Sequence, residues 1–106
     1  MPLFMDIHHT GDMLDVQHAA EDHAADLRVQ GSYNVRYLCY WVDETHGKIF
    51  CLVDAPYAEA AKAVHRQARG RAADEIYQVL EGGRQRRQFA PRRRPDSRNQ
   101  TTAGDI

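Results

Sequence analysis

The run Val35-Arg36-Tyr37-Leu38-Cys39-Tyr40-Trp41-Val42, the break Asp43-Glu44-Thr45-His46-Gly47 and the run Lys48-Ile49-Phe50-Cys51-Leu52-Val53 decide the fold. Both runs are rich in β-branched and aromatic residues, which suit a pleated, half-buried surface. Gly47 supplies the positive φ that a tight connection needs. Together they predict a β-hairpin.

The flanks of the hairpin mirror one another. Upstream, Pro2 to His9 alternates Leu3, Met5 and Ile7 with Phe4, Asp6 and His8, the period of a strand. Gly11 and Asp12 break it. Leu14 to Val29 then reads as a helix, with Val16, Ala20, His23 and Leu27 on one face and Gly31 and Asn34 beyond its end. Downstream, Pro56 suits a helix start, Tyr57 to Arg69 is Ala-rich and helical, and Gly70 stops it. Glu75 to Leu80 is a last short strand. The order strand–helix–strand–strand–helix–strand is the βαββαβ ferredoxin-like arrangement, an α+β fold. Right-handed crossovers give a four-stranded antiparallel sheet with two helices on one face. The other face is expected to be bare and to carry Phe4, Asp6, His8 and hairpin aromatics. His9 is expected under the helices. A bare apolar face of this size calls for a partner, and a homodimer through the sheet is the simplest one.

The 106 residues are 42% apolar and 27% charged, ordinary for one globular domain. That domain is expected over residues 1–81. Residues 82–106, rich in Arg and Pro, are expected to form a disordered tail. The overall net charge of −1 hides a split. From Arg84 onward seven arginines face two aspartates, a net +5, which leaves −6 on the body. An acidic body attracts cations and repels nucleic acid, so nucleic-acid binding is expected only weakly, through the tail. No apolar run reaches the ~20 residues of a membrane helix. Asp6, His8 and His9 interrupt the only apolar N-terminal run, so no signal peptide is expected and a cytoplasmic location is the default. Cys39 and Cys51 are expected as reduced thiols on paired strands, buried and structural rather than a soft-ligand or redox pair. No Ser-His-Asp motif, P-loop or GxGxxG fingerprint is present.

Six histidines are many for this length: His8, His9, His18, His23, His46 and His65. Imidazole favours nickel, copper and zinc over magnesium and calcium. Asp6-x-His8 sets a carboxylate and an imidazole on one face of the first strand. The topology brings the end of that strand, the turn with His46, the end of the second helix with His65, and Asp74 and Glu75 to one rim. For His8 a ligand role is the stronger reading, because a polar pair on a face that needs burial requires a partner. His23 also reads as a hydrogen-bonded core histidine, and His18 with Asp22 as a solvated helix surface. No HExxH or CxxC spacing strengthens the metal signal.

The blocks Pro2-Leu3-Phe4-Met5-Asp6-Ile7-His8, Tyr40-Trp41-Val42-Asp43, Phe50-Cys51-Leu52-Val53-Asp54-Ala55-Pro56, Ala63-Val64-His65 and Ala73-Asp74-Glu75-Ile76 resemble a family of short bacterial domains of unknown function. It is typified by a nickel-binding protein with a dimeric ferredoxin-like fold. The resemblance spans about residues 2 to 80. It implies nickel as the bound ion, although other first-row divalent metals suit the same ligands. The family's histidines fall on His8, His23 and His65. Members often carry a further histidine just after the one in the second helix. Here Arg69 and Arg71 stand there, a departure that implies a weakened or lost metal site. The expected function is therefore transition-metal binding for storage, buffering or sensing, with His8, Asp6, His65 and His23 as ligands. The alternative is a small dimeric α/β-barrel enzyme acting on a small aromatic or hydrophobic substrate, with His8, Tyr40 or His65 as acid–base groups.

Overall fold

The computed structural model describes residues 1–83. The Arg-rich tail expected from residue 82 therefore lies almost wholly outside the described residues. The chain forms β1 (Leu3–His9), α1 (Val16–Val29), β2 (Arg36–Asp43), β3 (Lys48–Asp54), α2 (Ala58–Arg69) and β4 (Glu75–Val79), with short 3-10 turns at Gly11–Met13 and Gln30–Tyr33. The strands make one antiparallel sheet in the order β2-β3-β1-β4. This is the ferredoxin-like α+β architecture expected from the element order. Among the described residues no helix is long and apolar enough to cross a membrane.

Asp15, expected inside the first helix, instead caps it. Its carboxylate accepts the amides of Gln17 and His18, satisfying two of the free N–H groups at the helix start. The inward face of α1 also differs from the expected stripe. Val16 and Leu27 are about half exposed, and Ala20 is exposed. The buried positions are Ala19 and Asp26. The helix turns a carboxylate inward because α2 offers that carboxylate two cationic partners, described below. The stripe of α2 is regular: Ala60, Ala61, Val64 and His65 are buried. Gly70 ends α2 at φ 86°, a left-handed cap that glycine adopts without strain.

The sheet faces are the reverse of those expected. Phe4, Asp6 and His8 are buried on the helix side, level with Val53, Cys51 and Ile49 of β3. Leu3, Met5 and Ile7 take the open face with Phe50 and Leu52. His9 is exposed on that open side, against Glu75, and not under the helices. Alternation fixes which residues share a face but not which face the helices cover. Here the polar members of β1 win the interior because Tyr37 and His65 hydrogen-bond them there.

A bulge in β2 completes this arrangement. Tyr37 pairs with Val53 and Cys39 with Leu52, so Leu38 is the extra residue. The bulge changes the parity of the strand. Tyr37, Tyr40 and Val42 thereby pack with the core, while Trp41 stays about half exposed. At the other end of the hairpin, Gly47 packs against Gly11. A Cβ there would meet the Gly11 backbone at 2.5 Å. The Thr10 and Gly11 amides donate to the Gly47 carbonyl at 2.8 and 3.0 Å. This clamp fixes the end of β1, and with it His8.

Candidate metal centre

Four buried side chains from two strands and one helix converge between the sheet and α2. They are Asp6 and His8 of β1, Cys51 of β3 and His65 of α2. One ligand atom from each lies within 4.8 Å of the others. Register explains the first three: Asp6 faces Cys51 across the β1–β3 ladder, and His8 is two residues on, on the same face. His65 reaches them from the buried stripe of α2.

A chain of hydrogen bonds holds His65. Its Nδ1 lies 2.9 Å from Asp26 Oδ1 and its Nε2 lies 2.9 Å from Asp6 Oδ2. Burial pushes the His65 imidazole down, but the bonds to Asp26 and Asp6 outweigh it and its pKa lies above the ordinary value. In that charged form both ring nitrogens donate. Burial raises the Asp6 carboxyl, yet His65 and the Tyr37 hydroxyl hold it well below the usual carboxylate range. Asp26 is likewise lowered, against burial, by His65 and Arg69. The Tyr37 hydroxyl donates to Asp6 Oδ2 at 2.8 Å, and burial with the Asp6 charge pushes its pKa up. Burial and the same charge keep Cys51 a thiol.

The remaining oxygen of Asp6 is different. Asp6 Oδ1 is buried and has no hydrogen-bond partner among the described residues. His8 Nε2 is 3.5 Å away, too long for a sound hydrogen bond. Arg69 NH1 lies 3.4 Å from that same His8 Nε2 and can only donate. His8 Nε2 is therefore the lone-pair nitrogen of the ring. With His8 Nε2 accepting from Arg69, the unpartnered carboxylate oxygen faces the His8 lone pair. Two like partial charges so placed fit a cation. The donor set of one carboxylate, two imidazoles and one thiol suits first-row transition ions. Asp6, His8, Cys51 and His65 would hold the ion. Asp26 behind His65 would supply the carboxylate–imidazole support common at metal-bound histidines.

The other expected residues lie elsewhere. His23 contributes no atom to the cluster. Its ring packs on Tyr40 with centroids 4.9 Å apart, and its buried Nδ1 lacks a hydrogen-bond partner among the described residues. His46 pairs with Asp43 in the exposed turn, and His18 lies near Asp22 on the helix surface. His9 joins Asp74 and Glu75 at the rim. Cys39 and Cys51 sit on opposite sheet faces, so they form no thiol pair. Asp26 and Tyr37 were not expected at the centre, and Cys51, expected as a structural thiol, joins it; Arg69 was expected only as a departure that weakens a metal site.

A pocket of about 400 Å³ opens beside His8. Its walls include His9, His18, Asp22, Arg69, Arg71 and Asp74.

Comparison with known proteins points the same way. No curated protein matches. The crystal structure of SCO4226 from Streptomyces coelicolor A3(2) is similar with a TM-score of 0.70 and 37% identity, over 76% of this chain and 99% of that one. Residues 4–79, which include every member of the cluster, match the family described as nickel responsive protein SCO4226-like. The chain belongs to that nickel responsive, SCO4226-like family.

Proposed function

We propose that this protein binds a first-row transition ion through Asp6, His8, His65 and Cys51. The family description favours nickel. The observation that carries the reading is Asp6 Oδ1, a fully buried carboxylate oxygen without a donor, set against the lone pair of His8. A buried carboxylate oxygen without a donor is costly, and a bound cation relieves the cost. The centre is polar and buried, and the pocket at His8 offers an approach to it. That suits holding an ion, in storage, buffering or sensing. The enzyme reading gains no support from the pocket, whose walls mix Met13 and Ile49 with histidine, aspartate and arginine side chains rather than forming the apolar enclosure a small aromatic substrate needs.

The open sheet face supports a second part of the proposal, a homodimer. Leu3, Met5, Ile7, Phe50 and Leu52 lie on it with Trp41 and Tyr77, which are 51% and 53% exposed. A second copy of the same face would bury this surface.

The test is calorimetric titration of untagged protein with nickel at pH 7.5 and 5.5, for the wild type and for Asp6→Asn and His8→Ala. Binding is expected at pH 7.5. It should weaken by more than about tenfold at pH 5.5, as protons compete for the nitrogens, and in each variant. Equal binding in all samples would refute the assignment.

A further inference from the structure

The centre already contains a fixed cation. Arg69, the last residue of α2, lies one turn beyond His65, and its side chain is only 9% exposed. Its Nε and NH2 donate to the two oxygens of Asp26 at 3.3 and 2.5 Å, a two-pronged grip. Its third nitrogen, NH1, lies 3.4 Å from His8 Nε2. That nitrogen carries the lone pair an ion would use. Unlike the imidazoles, the guanidinium cannot shed its charge. It also lines the pocket beside His8.

We propose that Arg69 sets the affinity of this centre for divalent ions, as a tethered cation that competes for His8. The inference rests on the metal-binding reading above. Two buried carboxylates, Asp6 and Asp26, give the centre its negative charge. Arg69 cancels one of them and engages the His8 nitrogen. An ion that takes His8 must displace NH1 and then sit within a few ångströms of the guanidinium. Both effects lower affinity. The pocket gives the displaced group somewhere to go, since it adjoins both Arg69 and His8. The centre is thereby tuned to bind reversibly, as a buffer or sensor requires. If Arg69 served only to pair Asp26, removing it would destabilise the protein without tightening its hold on an ion.

Nickel titration of untagged wild type, Arg69→Gln and Arg69→Lys separates these cases. Arg69→Gln removes the charge and keeps a donor toward Asp26. It should bind nickel at least about tenfold more tightly, the scale expected for one partly screened charge a few ångströms from a divalent ion. Arg69→Lys keeps the charge and should stay within about threefold of the wild type. Tighter binding by Arg69→Gln, or binding by it alone, supports the proposal. Equal or weaker binding by a folded Arg69→Gln overturns it and leaves the metal reading intact. Binding by neither protein overturns both. A measurement on the wild type does not depend on the variant folding. The Arg69 side-chain N–H signals should shift in nitrogen-resolved NMR spectra on saturation with zinc, a diamagnetic probe. Unchanged signals at saturation would also overturn it.

Discussion

Asp26→Asn tests the network that holds the candidate centre in place. Asp26 is fully buried and meets two cationic partners, His65 Nδ1 at 2.9 Å and the Arg69 guanidinium. Asparagine has nearly the same shape but no charge. Removing one partner of a buried pair costs about 3–5 kcal/mol, because the other charge is left uncompensated. Three things reduce that figure here. The asparagine oxygen still accepts one hydrogen bond, worth about 1 kcal/mol. Arg69 borders the pocket and can turn toward water. His65 can give up its proton. A net cost of about 2–3 kcal/mol at pH 6 follows, a large part of the roughly 5–15 kcal/mol that stabilises a domain.

The pH dependence makes this prediction sharper. The folded-state pKa of His65 lies above its unfolded value. The stability it contributes is fully present below about pH 6.5 and is lost as pH rises through the folded value. Asp26→Asn removes part of that contribution, so its cost must be larger at pH 6 than at pH 9. As His65 gives up its proton at higher pH, the cost falls toward that of losing the Arg69 pairing alone. Urea denaturation of wild type and variant at both pH values, followed by far-UV circular dichroism, gives the two differences. A cost below 1 kcal/mol at pH 6, or the same cost at both pH values, would show that the network does not carry the charge assigned to it.

Further outcomes follow from the same geometry. The metal-free protein should also lose stability in acid. Asp6 and Asp26 have lowered pKa values, so their contribution is present above about pH 4 and is lost as pH falls through the folded values; urea midpoints that stay flat from pH 5 to pH 2 would contradict this. Tyr37→Phe removes one of the two donors to Asp6 Oδ2, leaving His65 alone there, and should cost about 1–3 kcal/mol, read from the same denaturation curves. Cys51→Ser should abolish the sulfur-to-metal charge-transfer absorption of the nickel-loaded protein, and a retained band would remove Cys51 from the ligand set. Trp41→Glu should halve the mass measured by light scattering, by setting a charge in the open sheet face, and an unchanged mass would move the dimer contact elsewhere.

The order of elements was legible because each has a local signature. The hairpin announces itself in aromatic and β-branched runs, and the helices in their caps and glycine stops. Asp6, His8 and His65 were legible as candidates because polar side chains at interior-type positions call for partners. The inward face of β1 was not legible. Leu3-Met5-Ile7 is the more apolar set, so hydrophobicity alone assigns it to the helices. The structure instead gives the helices to Asp6 and His8, since only there do Tyr37 and His65 come within reach. Tyr37 reaches them only through the bulge at Leu38, which leaves no mark in the alternation. Asp26 was hidden for a similar reason. A carboxylate in a helix reads as solvent-facing until its partners on a second helix are known.

The same inversion ties the two halves of the proposal together. A sheet covered on one side needs an apolar layer on both sides if its other face is to meet a second copy. In β1 the side chains free for that purpose are Leu3, Met5 and Ile7, and they are apolar because the polar pair Asp6 and His8 is spent on the centre. Moving Asp6 or His8 by one position would send a charge into the open face and an aliphatic side chain into the cluster at once. The two faces are nevertheless separated by the thickness of the sheet, and no cluster side chain reaches the open side. Loss of the dimer in Trp41→Glu should therefore leave nickel affinity per chain within about threefold of the wild type, since distant sites without shared partners act nearly independently. A large change in affinity in that variant would mean that the second copy shapes the centre, and that the chain alone is not the binding unit.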